Sequence, residues 1–225
     1  MKTVLIISGG MDSATLAFDL PGGDDLLCLS FDYGQRNRLE LGAAAKIAAA
    51  RGAEHRIINM ADFAASCPGC SLTDPTIPTP HCHYADEGTK LTVVPSRNAM
   101  MLAAAFGVAV AHGAGQVAIA VHRGDHLIYP DCRPEFIEAL EKALNLGVWA
   151  DEPLRLHAPY ITLTKADIAR RGLELGVPYG LTWTCYEPRQ GADQVWRHCG
   201  QCGSCQERKE SFRVAGLPDP TEYAV

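Results

Sequence analysis

The chain has 225 residues, 47% of them hydrophobic and 20% charged, with a formal net charge of −6. That fits one well-buried core with a small appendage and the composition of a soluble globular protein. The acidic balance argues against a large nucleic-acid footprint, which needs clustered Lys and Arg, and no apolar run is expected to approach membrane-spanning length.

Thr3 to Ser8 reads as a first strand, and for that reason the opening Met1–Ile7 stretch is not expected to be a signal peptide. Ser8-Gly9-Gly10-Met11-Asp12-Ser13 follows it, and a helix over Asp12 to Leu20 comes next. Strand, glycine turn, helix is the order that builds an anion cup. The glycines accept backbone angles other residues avoid, and the unpaired first-turn amides and helix dipole favour phosphate. ATP is the expected ligand. The plainer alternative is a tight turn capped by Asp12. No Gly-Lys-Ser/Thr occurs, so a Walker-type P-loop is excluded.

Pro21 to Asp24 is a turn, Leu26 to Phe31 a second strand, Arg38 to Arg51 an alanine-rich helix, and His55 to Asn59 a third strand. Arg97 to Ala111 is an apolar helix. Gly113 to Ala118 spells a Gly-x-Gly-x-x-Ala string, but it leads from a helix into a strand (Gln116 to Val121), so it reads as a turn. A helix over Arg133 to Leu146, a short strand over Leu154 to His157, and a helix over Thr164 to Leu175 follow, the last with Thr164 as N-cap and Asp167 three residues on. This alternation predicts an α/β fold with a mainly parallel sheet and helices on both faces. Ligands in such sheets sit beyond the carboxyl ends of the strands, where Ser8, Asp32, Asn59 and Val121 fall.

Two stretches break the rhythm. Residues 66–94 form an irregular, proline-rich insertion. From residue 183 onward the cysteines gather: Cys185 is followed after thirteen residues by Cys199-Gly-Gln-Cys202-Gly-Ser-Cys205. Four thiolates at Cys-x-x-Cys spacing predict a structural zinc that staples residues 183–225 onto the ATP-binding domain of residues 1–182. An iron–sulfur cluster is the competing reading, and His198, next to Cys199, is either a further ligand or a neighbour that does not touch the metal. Nine cysteines, an odd number, predict reduced thiols in the cytoplasm rather than a disulfide scaffold. Cys67, Cys70, His81, Cys82 and His83 outline a weaker second metal site, with a plain loop of reduced thiols as the alternative.

Ser8 to Ser13 resembles the PP-loop of the N-type ATP pyrophosphatases. Phe31-Asp32-Tyr33-Gly34-Gln35-Arg36, Val94-Pro95-Ser96-Arg97-Asn98, Tyr129 to Phe136, Leu163 to Ile168 and Leu181 to Tyr186 narrow the resemblance to the 7-cyano-7-deazaguanine synthase family of queuosine biosynthesis. The resemblance implies an adenine nucleotide alpha hydrolase-like fold and a ligase acting on 7-carboxy-7-deazaguanine, ammonium and ATP through an acyl-adenylate and an amide. It implies phosphate binding by Ser8, Gly9, Gly10, Met11, Asp12 and Ser13, with Mg²⁺ bridging oxygens. Asp12, Arg97 and Lys165 are the catalytic candidates; Asp12 acts through that metal or simply caps the helix. Tyr129, Asp131 and Arg133 are the substrate-binding candidates, Asp131 for a guanine-like edge or as an N-cap near Arg133. Tyr33 and Tyr129 are candidates to stack on a base. Cys132 is expected not to be a nucleophile. The His122-Arg-Gly-Asp-His126 run departs from the family pattern, and its two histidines are candidates either to handle the ammonia proton or to line the pocket. No membrane or stable nucleic-acid partner is expected, and the resemblance implies a homodimer, to which Val214 to Val225 is a candidate contributor. A PP-loop protein that modifies tRNA, or one that stops at the 7-amido product, is the alternative.

Overall fold

The chain is described here by a computed structural model covering residues 1–81, 87–150 and 152–224. Five parallel strands form its centre: β1 (Thr3–Ile6), β2 (Leu26–Asp32), β3 (Glu54–Asn59), β4 (Gln116–Ala118) and β5 (Arg155–His157), in the order β3-β2-β1-β4-β5. β1 is the middle strand; its Leu5 stands beside Cys28 of β2 and Ala118 of β4. All four of its residues are buried; Val4, Leu5 and Ile6 are apolar, as a parallel strand covered on both faces requires, and the Thr3 hydroxyl accepts from Gln116 Nε2 at 2.8 Å.

The side chains of β1 divide the core by parity. Val4 and Ile6 point to one layer with Leu29, Phe31, Val117 and Ile119. That layer is covered by helix α4 (Arg97–Ala111), through Met101, Leu102, Ala105 and Phe106, and by α5 (Pro134–Leu146) through Ile137. Leu5 and Ile7 point to the other with Cys28 and Ala118. There α1 (Met11–Asp19), α2 (Leu39–Ala50), α6 (Lys165–Glu174) and α7 (Gly203–Ala215) contribute Leu16, Ile47, Ile168 and Phe212. A short helix α3 (Ala61–Ala65) follows β3, and an antiparallel pair, β6 (Arg189–Gln190) with β7 (Trp196–Arg197), lies within the cysteine-bearing segment.

The expected elements are present, with ends shifted by one to three residues: β2 and β3 each run one residue longer than expected, α1 starts and ends one residue earlier, and α2, α5, β5 and α6 are shorter. The strands expected to run to Ser8 and Val121 stop at Ile6 and Ala118, where the backbone leaves the ladder to form the site. α4 spans the expected residues, and α6 carries the expected capping box: Thr164 Oγ1 accepts from Asp167 N–H while the Asp167 carboxylate accepts from Thr164 N–H. The Gly113 turn, at φ 62°, joins α4 to β4 as expected.

One expectation needs correction. The stretch Gly88–Ala111 is long and apolar enough to cross a membrane by length and composition, with mean hydropathy 1.4. It is nevertheless broken before Arg97 by Pro95 and Ser96, and Met101, Leu102, Ala105, Phe106 and Ala109 of α4 are buried in the core.

Gly172 of α6 shows how closely the second layer is packed. A Cβ there would lie 1.8 Å from the Tyr179 hydroxyl, which is itself 2.8 Å from Thr15 Oγ1 of α1. We therefore expect Gly172→Ala to destabilise the fold by about 2 kcal/mol or more, because the overpacked site is bounded by a fixed hydroxyl pair. Urea unfolding should show a lower midpoint with an unchanged slope.

Candidate active site and cysteine cluster

In the order β3-β2-β1-β4-β5 successive strands are added to one side from β1 to β3 and to the other side from β4 to β5, so the strand order reverses between β1 and β4. In an open parallel sheet that is where a crevice forms beyond the strand ends. A cavity opens there, lined by Ile7, Ser8, Gly10, Asp12 and Ser13 after β1 and by Ile119, Ala120 and Val121 after β4.

The turn after β1 is tied internally. Ser8 Oγ lies 3.1 Å from Ser13 Oγ and accepts from Gly10 N–H at 3.3 Å, and Ser13 Oγ accepts from Ser8 N–H at 3.2 Å. Gly9 sits at φ +83°, and a Cβ there would be 2.2 Å from the Glu40 carbonyl oxygen, so no larger residue fits. Gly10 occupies the N-cap of α1 and no side chain caps that end. The positive end of the helix is thus presented to the cavity. Asp12 does not cap the helix. It lies in the first turn, with Oδ2 3.2 Å from Lys165 Nζ and 3.8 Å from His122 Nε2, and its Oδ1 is buried without a hydrogen-bond partner.

Lys165, the first residue of α6, is bound on a second side by Glu207 of α7 at 2.6 Å. Burial disfavours its ammonium, but Asp12, Glu207 and Asp125 outweigh that cost and push its pKa up. Burial pushes the Glu207 carboxyl up, while Lys165 pulls it back. Arg97 enters from the first turn of α4, with its guanidinium 5.7 Å from the Tyr33 ring centre and Nη1 3.4 Å from the Tyr33 hydroxyl. Tyr33, Tyr129 and Tyr186 line the cavity with it, and the Tyr129 hydroxyl is 2.9 Å from Thr92 Oγ1.

Of the residues singled out from sequence, the structure brings Ser8, Gly10, Met11, Asp12, Ser13, Arg97, Tyr129 and Lys165 to one cavity. Gly9 shapes the turn from behind. Asp131 and Arg133 are not among the lining residues. Asp131 does not cap the helix that starts near Arg133; it accepts from Asn98 N–H at 2.9 Å and so serves the start of α4. Ser96 there is held at φ 54°, a turn that leaves its own side chain unable to cap. Arg133 donates to the His126 carbonyl at 3.0 Å.

Cys132 lines the cavity, but burial pushes its thiol far up, which disfavours a nucleophilic thiolate. His122 caps a short helical turn reciprocally with Asp125. His126 is not a lining residue.

Several lining residues were not foreseen: Gln35, Asn37, Glu40, Asn98, Asp125, Ser204 and Glu207. Gln35 and Asn98 lie inside two of the recognised motifs without having been given a role there, and Asn37 and Glu40 follow the first of these motifs closely, the signal available for them. Glu207 had none, since it sits on a polar helix far along the chain. Glu40 accepts from Gln35 Nε2 at 3.0 Å, and burial pushes its carboxyl up to about 7, with Arg97 and Gln35 pulling it back.

Beside the cavity, Cys185, Cys199, Cys202 and Cys205 are buried with all four sulfurs within 4.8 Å of one another. Cys185 Sγ accepts from Glu187 and Cys199 N–H, and Cys199 Sγ from Gln201 and Cys202 N–H, at 3.2 to 3.3 Å. These donors favour thiolates, so the group has the donor set and spacing to hold a metal ion. His198 is not among them. Burial, with Arg208 nearby, pushes its imidazole down to about 4, and its Nε2 accepts from Thr184 N–H at 3.1 Å.

Among the described residues no second metal-ligand group forms. Cys70 is buried in the core and His81 pairs with Glu187 at 2.6 Å. Cys82 and His83 lie outside the described residues.

The sequence profile of the family described as "Queuosine biosynthesis protein QueC" matches residues 2–216. The chain is 50% identical over 226 residues to the 7-cyano-7-deazaguanine synthase of Allorhizobium ampelinum, covering 99% of this chain and 92% of that one. It is 50% identical over 224 residues to the synthase of the same name from Brucella ovis, covering 99% and 94%. Two solved structures are more remote. NH3-dependent NAD synthetase from Campylobacter jejuni is 17% identical, with TM-score 0.46, covering 80% of this chain and 66% of that one. U34-tRNA thiolase NcsA from Methanococcus maripaludis, with its 4Fe-4S cluster, is 16% identical, with TM-score 0.48, covering 83% and 60%. At these scores the likeness adds nothing to what the strand order of the chain itself establishes. Matched by the profile almost end to end, the chain belongs to the QueC family of queuosine biosynthesis proteins.

Proposed function

We propose that the chain converts 7-carboxy-7-deazaguanine and ammonia to 7-cyano-7-deazaguanine at the expense of ATP. The observation that carries this reading is the 50% identity to synthases of that name across 99% of the chain. Its support from chemistry is the uncapped helix end and the two cations, Arg97 and Lys165, on one cavity. A carboxylate resists attack because it is anionic and oxide is a poor leaving group. Its oxygen attacks the α-phosphorus of ATP, the bond to the β-phosphate oxygen breaks, and pyrophosphate leaves with an acyl-adenylate formed. Ammonia then displaces AMP and loses a proton, leaving an amide. A second ATP activates the amide oxygen in the same way, and loss of AMP and protons leaves the nitrile.

In this reading Ser8, Gly10, Met11 and Ser13 bind phosphate through the turn and first-turn amides, with Gly9 allowing the close approach. Lys165 and Arg97 offset charge on the pyrophosphate and on the carboxylate. Tyr33, Tyr129 and Tyr186 form the wall against which a planar base packs. Asp12 Oδ1, buried and unpartnered, is the oxygen in the cavity that fits Mg²⁺. That ion, when bound, supplies Lewis-acid stabilisation of phosphate oxygens. The four thiolates fit zinc, because a tetrahedral shell at a metal–sulfur distance of about 2.3 Å spaces its sulfurs by about 3.8 Å, and Cys199 and Cys205 sulfurs are 4.0 Å apart. An iron–sulfur cluster would spread them further. We place the protein in the cytoplasm as a homodimer; Leu146 and Trp149, 91% and 99% exposed, offer apolar surface for the second copy. The tail is held on its own chain, with Ala224 N–H donating to the His198 carbonyl and the Tyr223 hydroxyl to Asp219.

Three outcomes follow. Sustained pyrophosphate release should require the deazaguanine acid, ammonium and Mg²⁺ together, stopping at about one equivalent per site without ammonium because the acyl-adenylate forms before ammonia attacks, and mass spectrometry should give the nitrile. Gly9→Ala should abolish this release, and a product mass of the amide would favour the relative that stops early. Metal analysis should find zinc without iron or sulfide, and Cys202→Ser should lose the metal and lower the unfolding temperature. For Glu40, an unfolded glutamate ionises near ~4.3, whereas the folded carboxyl holds its proton to about 7. The folded chain therefore binds more protons in that window, so stability falls as pH rises through it. Glu40→Gln should remove that fall, and urea unfolding at a series of pH values should show the variant gaining on the wild type toward pH 7. Parallel curves for the two would contradict it.

A further inference from the structure

We propose that Glu207 is a positioning residue for the reaction: it holds the Lys165 ammonium at the edge of the phosphate cup, and the cysteine cluster sets where it stands. This rests on the functional reading above and adds to it a residue from the C-terminal segment.

The geometry is specific. α7 begins at Gly203, immediately after Cys202, and carries Cys205 and Glu207 in its first turns. Two of the four clustered sulfurs thus belong to the start of the helix that bears Glu207. Glu207 Oε2 accepts from Lys165 Nζ at 2.6 Å, and both side chains are largely buried, 13% and 12% exposed. Asp12 Oδ2 lies farther from the same ammonium, at 3.2 Å. All three side chains line the cavity. The root of Lys165 is set separately, by the Thr164–Asp167 capping box at the start of α6.

An ammonium has three donors and no preferred plane. A lysine bound by one mobile carboxylate would follow it. Here Asp12 has other demands on it, from His122 at 3.8 Å and from any cation taken up by its unpartnered Oδ1. Glu207 faces the ammonium from a different helix, so Lys165 keeps its place when Asp12 changes partner. Glu207 touches neither phosphate nor acid in this arrangement; it acts through Lys165. The same arrangement gives the cysteine cluster a part in the chemistry, because displacing the start of α7 displaces Glu207.

The test compares wild type, Glu207→Gln, Glu207→Asp, Lys165→Met and the Glu207→Gln/Lys165→Met double variant. Glu207→Gln should lower kcat for pyrophosphate release about a hundredfold while changing KM for ATP by less than about threefold, the pattern of a misplaced group rather than lost binding. Metal content should match wild type. On the Lys165→Met background the same change should cost at most about twofold, because the residue through which it acts is gone. Crystals of Glu207→Gln should show Lys165 Nζ displaced toward Asp12. A kcat within about threefold of wild type, or losses that multiply in the double variant, would overturn the proposal. Should Glu207→Gln not fold, Glu207→Asp, whose carboxylate is retracted by one methylene, is read by the same criteria. If wild type releases no pyrophosphate, the functional reading falls, and the crystal position of Lys165 still decides the positioning role.

Discussion

The buried ammonium of Lys165 is the interaction on which the site depends. It joins Asp12 at the start of α1, its own helix α6, and Glu207 on α7. A cation removed from water costs several kcal/mol unless it is well paired, and two carboxylates supply that pairing. Removing either partner would leave a poorly compensated charge in a cavity wall. The three helices lie on one face of the sheet, their apolar sides meeting at Leu16, Ile168 and Phe212. Packing therefore brings the charges together.

The C-terminal segment is built into the same cavity. Trp183 N–H donates to the Gly9 carbonyl at 2.8 Å, and Asn37 Nδ2 donates to the Cys185 carbonyl at 2.7 Å. The first bond orients the peptide of the glycine turn itself. Arg208, fully buried, holds the segment from behind through Asp219, Thr182 Oγ1 and the Tyr179 carbonyl. A cluster that looks from its spacing like a staple for a tail is, in three dimensions, the anchor of one wall. Trp183, Thr184, Tyr186, Ser204 and Glu207 all reach the cavity from it.

Local pattern accounts for what could be read in advance. The glycine turn, the α4 boundaries, the Thr164 capping box and the four thiols each depend on residues close in sequence. Strand ends were less legible: β1 and β4 stop two to three residues before the expected ends, because apolarity continues past the last ladder bond into the cavity wall. Asp131 was misplaced for a related reason. Its position beside Arg133 suggests a cap for the nearer helix, whereas its carboxylate reaches the start of α4, 33 residues away in sequence.

The amino-acid sequence by itself determined the alternating α/β order, the glycine turn after the first strand, the four-thiol set and the membership of these motifs in one family, since each is a short-range pattern of residue types. Tertiary structure alone decided which carboxylates share Lys165, that Glu40 is held among Gln35 and Arg97, and that Asp131 stands outside the cavity. Lys165 and Glu207 are 42 residues apart, and nothing in helical or strand periodicity relates them. Their meeting follows from the packing of α6 against α7 over the sheet, a long-range consequence of burying two apolar stripes on one face.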